Sequence, residues 1–175
     1  HSLLFFLGKW EISKELPVHL CSGLICCFIM FIPKNKRQFL FEFLFYCGII
    51  GGIQAIFTPL LDDYGGYNFF YIQFFFKHAM IIAFPIYLRN NLGMKLTKFS
   101  WLKTYFALNV LMILLIQLNN ILGSNYMYVN VPPAVDNPMV IGEWPTYLYW
   151  WELFVLILIL LVFIIGKPKT FEKIN

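Results

Sequence analysis

Charge is scarce in this chain. Only 13% of its 175 residues are Asp, Glu, Lys or Arg, against about 25% in an ordinary soluble domain. Glycine-rich phosphate loops, serine-hydrolase elbows and nucleic-acid motifs are absent, so nucleic acid is not an expected partner. Histidine is rare, at His1, His19 and His78. Cysteine occurs four times, at Cys21, Cys26, Cys27 and Cys47, without CxxC spacing. That pattern argues against a zinc site or a disulfide framework and reads Cys26, Cys27 and Cys47 as small buried hydrophobes. The first residues have no basic region and no small-residue cleavage site, so they do not read as a signal peptide. The apolar stretch at 1–8 reads instead as the end of a preceding helix.

What the chain has in quantity is apolar surface. Hydrophobic residues make up 60% and aromatic residues 20%. The expected fold is a single all-α integral membrane helix bundle. Five spans are expected at about 16–32, 39–60, 67–88, 101–122 and 147–165, and six if a helix precedes them. Pro17 sits in a first turn, where it removes no internal hydrogen bond. Gly48, Gly51 and Gly52 invite close helix approach, and Pro85 is expected to kink the third span. Glu42 reads as a first-turn carboxylate beside a basic connection, and Glu152 as an electrostatic cap on the last span.

The connections alternate in charge. Lys34, Lys36 and Arg37 follow the first span, Asp62 and Asp63 the second, and Arg89, Lys95 and Lys98 the third. An acidic connection and a basic tail complete the series. Lys and Arg favour the cytoplasmic side, so a cell-membrane protein with its basic loops and C-terminus in the cytoplasm is expected. Trp144, Tyr147, Tyr149, Trp150 and Trp151 then form an aromatic belt on the outer side.

This topology assigns depths. His78 lies about 16 Å along its span at 1.5 Å per residue. His19 and Cys21 enter from the same outer side, and Gln54, Asn119 and Glu152 also fall in the outer half. Polar groups in lipid are costly unless they converge. Cys21 and His78 make the most reactive pair available, a thiol nucleophile and an imidazole able to move its proton. His19 can orient substrate or meet a lipid phosphate, and Asn or Gln side chains can donate to an oxyanion. A metal site from His19, His78, Glu152 and Cys21 competes on thin evidence, and neither metal nor cofactor is expected. A small-solute or lipid transport or binding protein without catalysis is the alternative, though few polar groups occupy the inner half.

An ordered set of short motifs completes the reading. Leu16-Pro17-Val18-His19-Leu20-Cys21 is followed by Gly52-Ile53-Gln54-Ala55, Thr58-Pro59 and Phe75-Phe76-Lys77-His78. Asn119, Gly123-Ser124-Asn125-Tyr126-Met127-Tyr128 and Trp144-Pro145 come after them. In this order they resemble the YwaF family of bacterial integral membrane proteins, related to the transmembrane protein 164 acyltransferase group. The resemblance implies acyl transfer on phospholipids, with Cys21 and His78 as catalytic residues. The expectation is therefore a lipid acyltransferase or thioesterase-like enzyme acting on membrane phospholipids. Its supporting residues are His19, Gln54, Asn119, Asn125 and Tyr126.

Overall fold

The computed structural model describes residues 29, 31–33, 36–61, 68–135 and 137–170. Four helices dominate them: α1 (Gln38–Phe57), α2 (Asn68–Leu92), α3 (Ser100–Leu122) and α4 (Thr146–Gly166). A short 3-10 turn, Tyr126–Tyr128, lies between α3 and α4. The helices contain 20, 25, 23 and 21 residues. At 1.5 Å per residue they measure about 30–37 Å, enough for a hydrocarbon core about 30 Å thick. All four are apolar enough to cross a membrane. The described part is thus an all-α membrane bundle. The expected first span, 16–32, and the stretch 1–8 lie almost wholly outside the described residues.

Helix α1 is the hub. It packs along α2 and also meets α3 and α4. Phe41, Leu44, Phe45 and Tyr46 join Ile81 and Leu88 of α2, Leu96 of the next connection and Ile159 of α4 in one buried cluster. Ile29, upstream of α1, is completely buried in the same cluster. The approach of α1 to α2 depends on missing side chains. A Cβ at Gly48 would lie 2.8 Å from the Ile81 carbonyl oxygen, and one at Gly52 would lie 2.6 Å from Ile82 Cγ1. Facing outward, Phe57, Phe106, Ile121 and Ile165 are all more than two-thirds exposed. A soluble surface rarely tolerates such a girdle, whereas lipid tails solvate it.

Two helix ends differ from the sequence reading. Helix α1 stops at Phe57 because Thr58 turns back, its Oγ1 donating to the Gln54 carbonyl at 2.9 Å ahead of Pro59. Helix α2 continues through buried Pro85 to Leu92, four residues past the expected end. Its last turn closes when the Met94 N–H reaches the Leu88 carbonyl at 3.3 Å and Asn91 Nδ2 donates to the Tyr87 carbonyl at 3.3 Å.

Glu42 has a larger role than a first-turn carboxylate. It is completely buried. Its Oε1 accepts from Gln38 Nε2 and from the Thr97 backbone N–H, both at 3.0 Å. Its Oε2 pairs with Lys103 Nζ at 2.6 Å. Gln38 Nε2 also donates to the Lys95 carbonyl at 2.8 Å. One helical turn on, Tyr46 OH and Ser100 Oγ share a hydrogen bond of 2.6 Å. Together these bonds tie the α2–α3 connection and the first turns of α3 onto α1.

Two outcomes follow for stability. Gly48→Ala should destabilise the bundle by about 1–3 kcal/mol, as overpacking does when backbone must move. Gly51→Ala, with no atom within 4 Å of its added carbon, should not; thermal unfolding in detergent compares the two. Lys103→Met strips the charged partner from buried Glu42. Because Lys103 itself reaches solvent, the loss should be about 3 kcal/mol, the lower end for a broken buried pair. Equal melting temperatures for Lys103→Met and the parent would contradict this role.

Candidate functional site

His78 occupies the eleventh position of α2, on the face that meets α1. It is 3% exposed. Its Nδ1 lies 2.8 Å from the Phe74 carbonyl oxygen, one turn back along the helix. A carbonyl can only accept, so Nδ1 carries the proton and donates, leaving Nε2 with its lone pair. The Phe74 ring lies against the imidazole with centroids 4.2 Å apart. Opposite, Gly52 approaches so closely that a Cβ there would come within 3.1 Å of the His78 carbonyl oxygen. Ring plane and tautomer are therefore both held, and Nε2 takes no hydrogen bond among the described residues. That is the state a general base requires.

Gln54, on α1 near the same end of the bundle, lines a cavity of about 280 Å³. Its other walls include Ile50, Phe57, Leu158 and Val162, with Pro138 and Met139 from the α3–α4 connection. Gln54, Thr58 and Asn137 are the polar residues of this otherwise apolar lining. Thr58 and Asn137 bond to nearby backbone, whereas the Gln54 carboxamide makes no hydrogen bond among the described residues. An alkyl chain fits such a wall chemically, and an uncommitted amide can bind a polar group carried in with it.

Asn119, Asn125 and Tyr126 belong to a loop that consumes most of their polar atoms. Asn119 is 1% exposed. Its Oδ1 accepts from the Tyr126 N–H and Ser124 Oγ, both at 2.8 Å. Its Nδ2 donates to the Tyr126 carbonyl at 3.1 Å and Asn130 Oδ1 at 2.9 Å. All four hydrogen-bonding positions of the amide are used. Asn125 Oδ1 accepts from the Val131 N–H at 3.1 Å and the Asn130 N–H at 3.3 Å, while its Nδ2 donates to the Val131 carbonyl at 2.9 Å. Among the described residues, one amide proton of Asn125 stays uncommitted. Tyr126 is buried with Leu115, Val129, Tyr147 and Leu148.

Gly123 ends α3 in the left-handed conformation (φ 61°) and turns the chain into this loop. Met127 and Tyr128 then both adopt φ 55°, a region disfavoured for residues with a side chain. The loop holds this strain through the Asn119 amide, the Tyr147 hydroxyl donating to the Tyr128 carbonyl at 2.7 Å, and the Trp144 indole donating to the Val129 carbonyl at 3.2 Å.

Cys21 and His19 lie outside the described residues, so their distances to His78 are not part of this geometry. Among the described residues no three His, Cys, Asp or Glu side chains gather as a metal site would require. One polar contact was missed by reading spans singly. Asn109 Nδ2 donates to Glu152 Oε2 at 3.0 Å and to the Tyr105 carbonyl at 3.0 Å, clamping α3 to α4 within the bundle. Glu152 therefore bonds across helices. The available signal was a carboxylate and an amide on two successive apolar runs.

The chain matches the family model described as the TMEM164 family over residues 1–163. No curated protein and no solved structure gives a match.

The loop gives a direct test. Asn119→Leu removes both bonds from the Asn119 amide to the Tyr126 backbone and with them the Ser124 and Asn130 contacts of the same amide. It should cost about 1–3 kcal/mol and open residues 123–131 to protease. Asn119→Asp keeps the acceptor and loses the two donated bonds, so it should fall between Asn119→Leu and the parent in melting temperature.

Proposed function

The chain belongs to the TMEM164 family, and from that premise we propose that it is a membrane-embedded lipid acyltransferase or thioesterase working through Cys21 and His78. The observation that carries the proposal is His78: a buried imidazole inside an apolar helix, its Nδ1 proton given to Phe74 and its Nε2 uncommitted. Intramembrane ionisable groups are expensive and are kept mainly where they act. The largely apolar cavity beside Gln54 supports a substrate with an alkyl chain. In this reading the run 16–32 is a fifth span, which brings Cys21 into the bilayer. Burial of Ile29 against α1 supports its packing there. The basic connections face the cytoplasm in the same reading.

The reaction has two halves. His78 Nε2 accepts the Cys21 thiol proton, and the thiolate adds to an acyl ester carbonyl of a phospholipid. The tetrahedral intermediate collapses, the ester C–O bond breaks, and the imidazolium returns the proton to the leaving alkoxide. This leaves an acyl thioester on Cys21 and a lysophospholipid. A lysophospholipid hydroxyl, or water, then adds to the thioester while His78 takes its proton. The new ester or acid forms, and the leaving thiolate takes that proton from the imidazolium. Gln54, Asn125 and His19 orient the headgroup or the oxyanion. Asn119 and Tyr126 act through the loop whose shape they set.

The alternative, lipid transport or binding without chemistry, draws on the same cavity and is separated by one experiment. Purified protein in nanodiscs is given a phospholipid with an alkyne-tagged acyl chain. The parent should acquire a hydroxylamine-labile acyl label at Cys21 and transfer it to added lysophospholipid. Cys21→Ala should lose both label and transfer. His78→Gln should slow transfer about 10²–10⁴-fold, the usual contribution of a positioned acid–base group. Full acyl exchange by Cys21→Ala would end the covalent reading. Tagged-lipid binding without any label would favour the non-catalytic one.

A further inference from the structure

The cavity beside Gln54 and the His78 imidazole lie on different sides of α1. Gly48 meets Ile81 and Gly52 meets the His78 carbonyl, so this face of α1 belongs to α2. Ile50 and Gln54 each stand two residues from Gly52, about 200° around a helix of 3.6 residues per turn. They line the cavity shared with Leu158 and Val162 of α4. We infer that this cavity holds the uncleaved acyl chain of a two-chain phospholipid, while the other chain lies on the α2 side with its ester at His78. The inference rests on the acyl-transfer reading above and adds to it a seat for the second chain.

Helix packing makes the space. A Cβ at Gly166 would come within 2.8 Å of Phe45 Cε1, so α4 and α1 touch there. Val162 and Ile49 lie one turn beyond this contact on their own helices, and Leu158 and Ile53 two turns beyond it. The gap between the helices therefore opens just past the contact and continues to Thr58. From Ile49 to Thr58 it runs about 13 Å at 1.5 Å per residue. Ile53 and Phe57, at its edge, are 43% and 81% exposed, so the gap opens sideways into lipid. Its volume of about 280 Å³ takes about nine groups of water size, which is close to the size of a methylene.

Chemistry changes along the gap. Ile49, Ile50 and Val162 make its deep part apolar, and Gln54, Thr58 and Asn137 gather toward the Phe57 end. Asn137 Oδ1 accepts from the Met139 N–H at 2.9 Å. Its Nδ2 is uncommitted among the described residues, as is the Gln54 carboxamide. Lipid tails are as apolar as this wall, so burial alone gives a chain little reason to enter. Two amide donors near the mouth supply one, because they suit an ester carbonyl oxygen, the polar atom that heads an acyl chain. The reacting group is also near that end. The pairs Gly48–Ile81 and Gly52–His78 make α1 and α2 antiparallel. The bond from His78 Nδ1 to the Phe74 carbonyl leans the imidazole toward the start of α2, and so toward the end of α1. Gly52 to Phe57 is a rise of only about 7.5 Å. A glycerol backbone passing over Phe57 sets one chain on each side of α1.

The test uses the full chain in nanodiscs with two positional isomers of a phosphatidylcholine, each carrying an alkyne and a photoreactive diazirine in one of its two acyl chains. One isomer should pass its tagged chain to Cys21. The other should keep its tag and, on irradiation, crosslink within residues 137–139 and 158–162, as mapped by mass spectrometry. Leu158→Trp and Met139→Trp fill the cavity from two different elements. Each should weaken that crosslink about tenfold, the factor for an overfilling cost of about 1.4 kcal/mol. Each should also raise KM for the two-chain donor relative to a single-chain p-nitrophenyl ester, which has no chain for the cavity. Gln54→Leu should raise the two-chain KM about fivefold, the factor for a hydrogen bond worth about 1 kcal/mol. Ile121→Trp, on the exposed face of α3, should change neither readout. Acylation of Cys21 by the single-chain ester, with parental crosslinking and KM in both cavity variants, would overturn this inference and leave the acyl-transfer reading standing. Crosslinks spread evenly over the lipid-facing surface, or absent from 158–162 because another segment of the chain fills the cavity, would overturn it equally. No acylation of Cys21 by either donor would overturn the acyl-transfer reading, and the second-chain assignment with it.

Discussion

The carboxylate of Glu42 has no contact with solvent, and the architecture around it is arranged to make that tolerable. An unpaired charge in an apolar bundle is strongly unfavourable, so donors must come to it. They arrive from three places: Gln38 on its own helix, the Thr97 backbone and Lys103 of α3. Satisfying one side chain therefore fixes where the α2–α3 connection lies and how α3 starts. The Tyr46–Ser100 bond, one turn further along, repeats the attachment.

Helix α3 is held at three levels by different chemistry. An ion pair fixes its start, the Asn109–Glu152 bond ties its middle to α4, and the Asn119 amide organises the loop at its end. Apolar packing gives little direction in lipid, where helix surface and solvent are alike. Polar contacts of defined geometry supply the register that hydrophobic burial supplies in water. This accounts for α3 and α4 being stably placed while much of their apolar surface faces outward.

Composition and run length sufficed to read the membrane class and the four described helices, because crossing a bilayer demands about 20 consecutive apolar residues. His78 was legible for the same reason, as a costly group in mid-span. Glu42 was misjudged because position along a run says nothing of what lies across from it. Its neighbours Thr97 and Lys103 are 55 and 61 residues away. The Pro85 region ran on as helix because the end of α2 is set by contacts of Asn91 and Met94 beyond the proline. Asn119 and Asn125 drew attention as polar groups without visible partners. Their partners are largely backbone atoms of a loop whose shape the sequence does not display, although Gly123 at a helix end announced the turn.

Commitment of hydrogen-bonding atoms separates the polar groups into two kinds. Glu42 and Asn119 are both buried, and their side-chain polar atoms are engaged with protein partners that fix the fold. Changing either would disturb structure first and any chemistry second. His78 Nε2, the Gln54 carboxamide and the Arg89 guanidinium are different. Each belongs to a side chain positioned by packing, yet keeps polar atoms without a protein partner among the described residues. A membrane offers little water to satisfy such atoms, so their partners must come from other parts of the protein or from a ligand. Gln54 faces a largely apolar cavity, whose chemical character matches the tail of a lipid.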